Sequence, residues 1–172
     1  WYVKPTCGTE WSEWVINTVV AEKDTMDIPY KQDFDTYFFG SYSALPNGWT
    51  FIGGYSTSPY LHATNHYSAP AGMYVGGSTS ASSYAVTPCM KAPINKLQAT
   101  FMCLTTTATY KMQVGVMTDP TDEATFVPVD TVEFEAKNQW QEVTVEFDKY
   151  TGTGCYIAFM VGKLTAGPVY VD

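Results

Sequence analysis

Arginine is absent from this 172-residue sequence, and its nine basic residues, all lysines, face seventeen Asp and Glu for a formal net charge of −8. Without a basic stripe or a bidentate guanidinium, nucleic acid is not expected as a partner, and the acidic balance also argues against anionic membranes. No run of eighteen apolar residues occurs, so no direct membrane insertion is expected. The CxxC pair of a structural zinc site or a thioredoxin-type motif is missing as well. Neither GxSxG nor HExxH is present, and histidine is limited to His62 and His66. Nucleophilic hydrolysis therefore lacks its usual frame of a nucleophile, a base and an orienting acid. A signal peptide is not visible, the chain opens on Trp1, and it closes on "VYVD" inside a strand pattern. It is expected to be a piece of a longer or processed protein.

Helical periodicity is nearly absent too, and strand signals take its place, recurring about every ten residues between Gly, Pro, Asn or Thr turns. In "YKMQVGVMT", Tyr110, Met112, Val114 and Val116 alternate with Lys111, Gln113, Gly115 and Met117. "VDTVEFEA" and "QEVTVEF" each place acids on one face and apolar residues on the other, as in an antiparallel sheet with one wet side. "CYIAFMV" and "LQATFMCL" are apolar on both faces and read as central, doubly covered strands. Aromatics make up 16% of the chain, with thirteen Tyr and five Trp, which leans further toward β-structure. Cys103 and Cys155 lie inside apolar runs and read as small buried hydrophobes. A disulfide stays open, Cys89 and Cys103 being the pair nearest in sequence, because connectivity does not follow from sequence.

"VGVMTDPTDEATFVPV" sets Asp119, Asp122 and Glu123 between two β-branched runs. Asp119-Pro120 starts a turn, and residues through Ala124 complete a connection between strands at 110–118 and 126–134, which needs no catalytic explanation. Residues 36–90 differ: seven Tyr, Trp49 and both histidines lie among Gly, Ser, Thr and Pro, with no acid anywhere between Thr36 and Thr118. Rings without a proton donor point to recognition rather than catalysis, and loops are where recognition concentrates. The candidate ligand-binding residues are Trp49, Tyr55, Tyr60, His62, His66, Tyr67 and Tyr74, with core packing or an ordinary loop position as the alternative for each. Asp33 and Asp35 share one side of an extended segment and, with Asp172, form a candidate Ca2+ site whose alternative is solvated acids.

Taken in order, "IPYKQDFD", "LPNGWT", "PINKLQATF", "VGVMTDPTDEATFVPVDTV", "WQEVTVEFDKYTGTGCYIAF" and "VYVD" resemble the MAM-like jelly-roll modules of bacterial surface proteins. These include the choice-of-anchor J domains and are similar to the cleaved adhesin domains of gingipain proteases. The resemblance covers residues 27–172 and implies an all-β, two-sheet antiparallel sandwich of jelly-roll topology. It further implies an extracellular or cell-surface address and a non-catalytic role in cell adhesion or carbohydrate binding. Calcium near the first and last strands is implied for the same acids by position only. Relatives' Asp/Gly-rich segment after Gly-Trp has no counterpart in "TFIGGYSTSPY". Residues 1–24 resemble the closing hairpin of a fibronectin type III module followed by a linker, Glu22 to Asp27. The expected partners are a glycan or host glycoprotein and neighbouring modules of the same parent protein. The competing expectations are a structural spacer and, third, a polysaccharide-active enzyme.

Overall fold

Alternation of apolar and polar residues builds two sheets whose apolar sides face each other. The computed structural model describes residues 6–7, 10–11, 25–34, 46–53, 59–77, 80–107, 111–163 and 167–172. Thirteen strands follow in chain order: β1 (Thr6–Cys7), β2 (Glu10–Trp11), β3 (Thr25–Met26), β4 (Thr50–Ile52), β5 (Tyr60–His62), β6 (Gly72–Gly77), β7 (Ser83–Met90), β8 (Gln98–Thr105), β9 (Lys111–Met117), β10 (Val127–Glu133), β11 (Gln141–Glu146), β12 (Tyr156–Val161) and β13 (Gly167–Val171). A six-stranded sheet runs β10-β9-β12-β7-β3, with β4 also on β7; a five-stranded sheet runs β11-β8-β13-β6-β5. Among the described residues every pairing is antiparallel except the short β3 beside β7. The expected sandwich is therefore present, and the described residues include only two single-turn 3-10 helices.

Between the sheets lie Met112, Val114 and Val116 of β9, Ile157, Phe159 and Val161 of β12, and Phe101 and Cys103 of β8, together with Met73, Val75, Val145, Val169 and Val171. β12 is central and covered on both sides, as its composition predicts: Ala158, fully buried, faces the outer cluster of Tyr84, Val86 and Met117. β8 departs from that expectation, because its first half exposes Gln98 and Thr100 and only its second half is covered. Thr25 and Met26, expected in the linker, instead form an edge strand on β7, and Asp27 pairs with Lys91 at 3.0 Å. β1 and β2 pair antiparallel, Thr6 opposite Trp11.

The DPTDE segment is a turn held by its own side chains. Asp119 Oδ1 accepts the Thr121 backbone N–H and hydroxyl at 2.8 and 2.7 Å, and Asp122 Oδ1 accepts the Ala124 N–H at 3.0 Å, capping the 3-10 helix Glu123–Thr125. The turn returns Phe126 across the outer face, where a Cβ on Gly115 would come 2.6 Å from its ring. Cys89 bonds to Cys155, their Cα atoms 4.9 Å apart, because the register sets Tyr156 opposite Cys89 on neighbouring strands. This settles the connectivity that the sequence leaves open, away from the pair nearest in sequence, and corrects the reading of Cys155 as a buried hydrophobe. Cys103 lies in the other sheet, free and buried, its thiol pushed up to about 12 by desolvation.

Candidate functional site

The outer face of the five-stranded sheet collects aromatic rings from distant parts of the chain. In β6, "GMYVGG" sends Met73 and Val75 into the core at 1% and 0% exposure, so the two-residue period turns Tyr74 outward. "PVYV" in β13 does the same for Tyr170 between Val169 and Val171. Strand register then aligns Tyr60, Tyr74, Tyr170 and Leu104 in one row across β5, β6, β13 and β8. The Tyr60 and Tyr74 rings stack with centroids 4.5 Å apart, and Tyr170 meets Tyr74 edge-on at 5.7 Å. His62 completes the cluster, 5.3 Å from Tyr170 and 6.4 Å from Tyr74. Tyr170 is buried and forms the floor; Tyr60, His62 and Tyr74 are half-buried above it. Desolvation, then the charge of a neighbouring Tyr170 phenolate, raises the Tyr74 hydroxyl above its ordinary value of 10.0, so Tyr74 remains a neutral donor at physiological pH.

Residues 63–70 fold back over the end of this row. A Cβ on Gly72 would lie 2.8 Å from the Asn65 carbonyl, so glycine is what lets the loop lie on the strand. Two side chains pin the loop. Asp172 Oδ2 accepts the Tyr67 and Ser68 N–H groups at 2.7 and 2.9 Å, and its Oδ1 accepts the Ser68 hydroxyl at 2.8 Å. His62 Nδ1 accepts the Thr64 and Asn65 N–H groups, both at 3.2 Å, which leaves the ring proton on Nε2. Desolvation lowers the His62 pKa and keeps that neutral form at neutral pH. Tyr67, 61% exposed, ends edge-on to Trp140 with centroids 5.9 Å apart. His66 tucks Nδ1 out of solvent without a hydrogen-bond partner.

Of the ring and histidine candidates, Tyr60, His62 and Tyr74 are in mutual contact, and His66 and Tyr67 lie on the adjoining loop. Trp49 is elsewhere: the Pro46–Trp49 turn, with Gly48 at φ +77°, delivers it to the core, where it is 8% exposed. It stacks on Phe159 at 6.3 Å and donates Nε1–H to the Tyr30 hydroxyl at 2.8 Å, beside a cavity of about 440 Å3 between the sheets. Tyr55 and Asp35 lie outside the described residues. Asp33 pairs with Lys31 at 3.0 Å, and the Asp172 oxygens already hold the loop. Among the described residues no three His, Cys, Asp or Glu side chains converge as a metal site would require. Two members of the site escape a reading of the Tyr-rich middle, Tyr170 and Trp140. Strand parity is the signal for both: Trp140 falls in step with the outward Glu142, Thr144 and Glu146, and Tyr170 stands between two inward valines.

No family model matches the chain, and no curated protein matches it. Among solved structures it is similar to the K2 cleaved adhesin domain of Lys-gingipain, with a TM-score of 0.64 and 13% identity over 83% of this chain and 95% of that one. The K3 cleaved adhesin domain of Lys-gingipain from Porphyromonas gingivalis W83 follows, with a TM-score of 0.55 and 17% identity over 74% and 89% of the two chains. TmCBM61, solved in complex with β-1,4-galactotriose, has a TM-score of 0.52 and 13% identity over 73% and 85%. Identities this low establish a shared fold, so the expected likeness to gingipain cleaved adhesin domains holds at that level, and the sandwich is one that adhesin domains and TmCBM61 also adopt.

Proposed function

We propose that this chain is a non-catalytic extracellular module of a larger bacterial surface protein, and that it binds glycan, free or on a host glycoprotein, on the outer face of the five-stranded sheet. One observation carries the reading: Tyr60, His62 and Tyr74 form a contiguous, half-exposed ring surface on rigid strands, extended at its corner by Tyr67 and Trp140. Such rings offer apolar faces to sugar C–H bonds, while phenol, indole and imidazole N–H and O–H groups donate to sugar oxygens. Preorganisation supports the reading, since the loop that flanks the rings is tied down at five points by Asp172 and His62. The acid at the end of the ring-bearing strand β13, Asp172, has both oxygens bonded to that loop, consistent with binding rather than acid–base chemistry. Adhesin domains of the same fold, and TmCBM61 with its galactotriose, lend support by analogy. A disulfide between Cys89 and Cys155 accords with an oxidising, extracellular address. No helix among the described residues is long and apolar enough to cross a membrane.

Calcium is a separable part of the proposal. Asp172 already takes three protein donors on its two oxygens, which leaves Asp33 and Asp35 as the acids to test. A melting temperature higher in CaCl2 than in EDTA supports a site on them; equal temperatures remove it. The binding reading itself is tested by affinity electrophoresis of the purified chain through gels containing polysaccharides or mucin. Retardation by at least one glycan, abolished by Tyr60→Ala/Tyr74→Ala, is the expected result. Absence of retardation in every gel would leave a structural spacer between neighbouring modules as the better account.

A further inference from the structure

We infer that the aromatic face of the five-stranded sheet selects neutral glycans and rejects acidic ones, an inference that rests on the reading of this face as the glycan site. Recognition of a carboxylate or sulfate calls for a guanidinium fork, an ammonium, or a cradle of free backbone N–H groups. The chain has no arginine. None of the five strands that build the face, β5, β6, β8, β11 and β13, contains a lysine. Three of the described lysines are ion-paired elsewhere, Lys31 with Asp33, Lys91 with Asp27 and Lys111 with Glu133. Lys137, in the connection that leads to Trp140, is the described lysine closest in sequence to the site.

Among the described residues, the loop donors that converge as an anion's cradle would are already engaged. The Tyr67 and Ser68 N–H groups and the Ser68 hydroxyl converge on one carboxylate, and it is the protein's own Asp172. His62, the single basic side chain on the five strands, has Nδ1 committed to the loop and is kept uncharged by burial. What the face adds is negative. Register puts Glu142 opposite Met102 and Glu146 opposite Gln98, on the same side as Tyr170 and Leu104, and both glutamates are exposed. Asp172 and Glu142 lie two positions along their strands from the ring row, and Glu146 lies six, about 20 Å, from it. An acidic ligand on the rings is thus within about two Debye lengths of Asp172 and Glu142, and meets Glu146 as well at low ionic strength. Phenol, indole and imidazole groups suit the hydroxyls and ring oxygens of uncharged sugars instead.

Charge-matched pairs of polymers test this with the whole chain. Hydroxyethylcellulose and carboxymethylcellulose, galactan and polygalacturonate, and asialomucin and sialylated mucin are cast in native gels, with a non-binding acidic protein as the mobility reference. In at least one pair the neutral member should retard the chain, and its acidic partner should do so about tenfold less at low ionic strength. Raising NaCl should narrow that gap, and Glu142→Gln/Glu146→Gln should narrow it at low salt while leaving retardation by the neutral member intact. Equal or stronger retardation by the acidic member, or a gap insensitive to both salt and the double variant, overturns the inference while leaving a glycan site in place. No retardation by any of the six polymers would instead remove the glycan reading itself, and this inference with it.

Discussion

Both sheets of the sandwich carry aromatic residues on their outer faces, yet one face is sealed and the other is open. On the six-stranded sheet, Tyr84, Val86, Met117 and Ala158 are buried although they point away from the core. The DPTDE turn roofs them by returning Phe126 across Gly115 to meet Tyr84 edge-on at 5.4 Å. On the five-stranded sheet, the 63–70 loop covers Gly72 and stops, so the rings beside it keep access to solvent. Whether a ring packs or displays itself thus depends on how far the covering segment reaches, and not on the strand that bears it. The sealed sheet is also the covalently braced one, through Cys89–Cys155, which ties β7 to the residue just before β12. Stability and recognition are accordingly expected to separate between the two sheets.

Removing the brace should give the largest effect. The disulfide closes a loop of 66 residues. Cys89→Ser/Cys155→Ser should therefore cost about 4 kcal/mol, lowering Tm by about 10 °C in calorimetry. Glycan retardation at low temperature should survive. Next, Phe126→Ala unroofs Tyr84 and Val86; from a half-buried ring we expect a loss of about 2 kcal/mol in chemical denaturation and no change in glycan binding. Loss of binding in either variant, at temperatures where the fold persists, would show that the two faces are not independent.

The open face should answer in the opposite sense. Tyr74→Ala removes the ring that touches Tyr60, His62 and Tyr170 together, and should weaken retardation by at least about tenfold while costing about 1 kcal/mol of stability. A Tyr74 variant that binds normally but melts far lower would turn the row into a second structural cluster and erase the distinction between the faces.

The strands and the turn between β9 and β10 are legible in the sequence because alternation and turn chemistry are local. Val114 and Val116 go inward, and Asp119 and Asp122 bond to their own backbone, whatever the rest of the chain does. The site is less legible because it is a product of register. Tyr60 and Tyr74 become neighbours of Tyr170 only when β13 inserts between β6 and β8, and no local pattern announces that order. Trp49 shows the converse. Composition marks it as readily as any tyrosine, but a glycine turn and a slot between Phe34 and Phe159 take it into the core. Asp172 reads as a metal-ligand candidate at a strand end, and pairing of that strand with Met102 sets it under a loop whose two N–H groups bond Oδ2 and whose Ser68 hydroxyl bonds Oδ1. The disulfide is long-range in the same way, fixed by the opposition of Tyr156 and Cys89.

The smallest effect expected is a pH dependence confined to the open face. Burial lowers the His62 pKa below its ordinary value of 6.5, so the unfolded chain takes up this proton at a higher pH than the folded one does. In the window between those two values the unfolded state binds more protons, and stability rises with pH. The contribution of His62 is thus complete above pH 6.5 and is lost as pH falls through the lowered value. Protonation also places a hydrogen on Nδ1, the atom that accepts the Thr64 and Asn65 N–H groups, so the loop loses two of its five ties. In His62→Asn the side-chain oxygen can still accept from the loop but does not titrate. Between pH 7.5 and 5, Tm and glycan retardation should therefore fall more steeply in the wild type than in the variant. Parallel pH profiles would mean that the loop is held by Asp172 alone, and that the open face owes its shape to a single carboxylate.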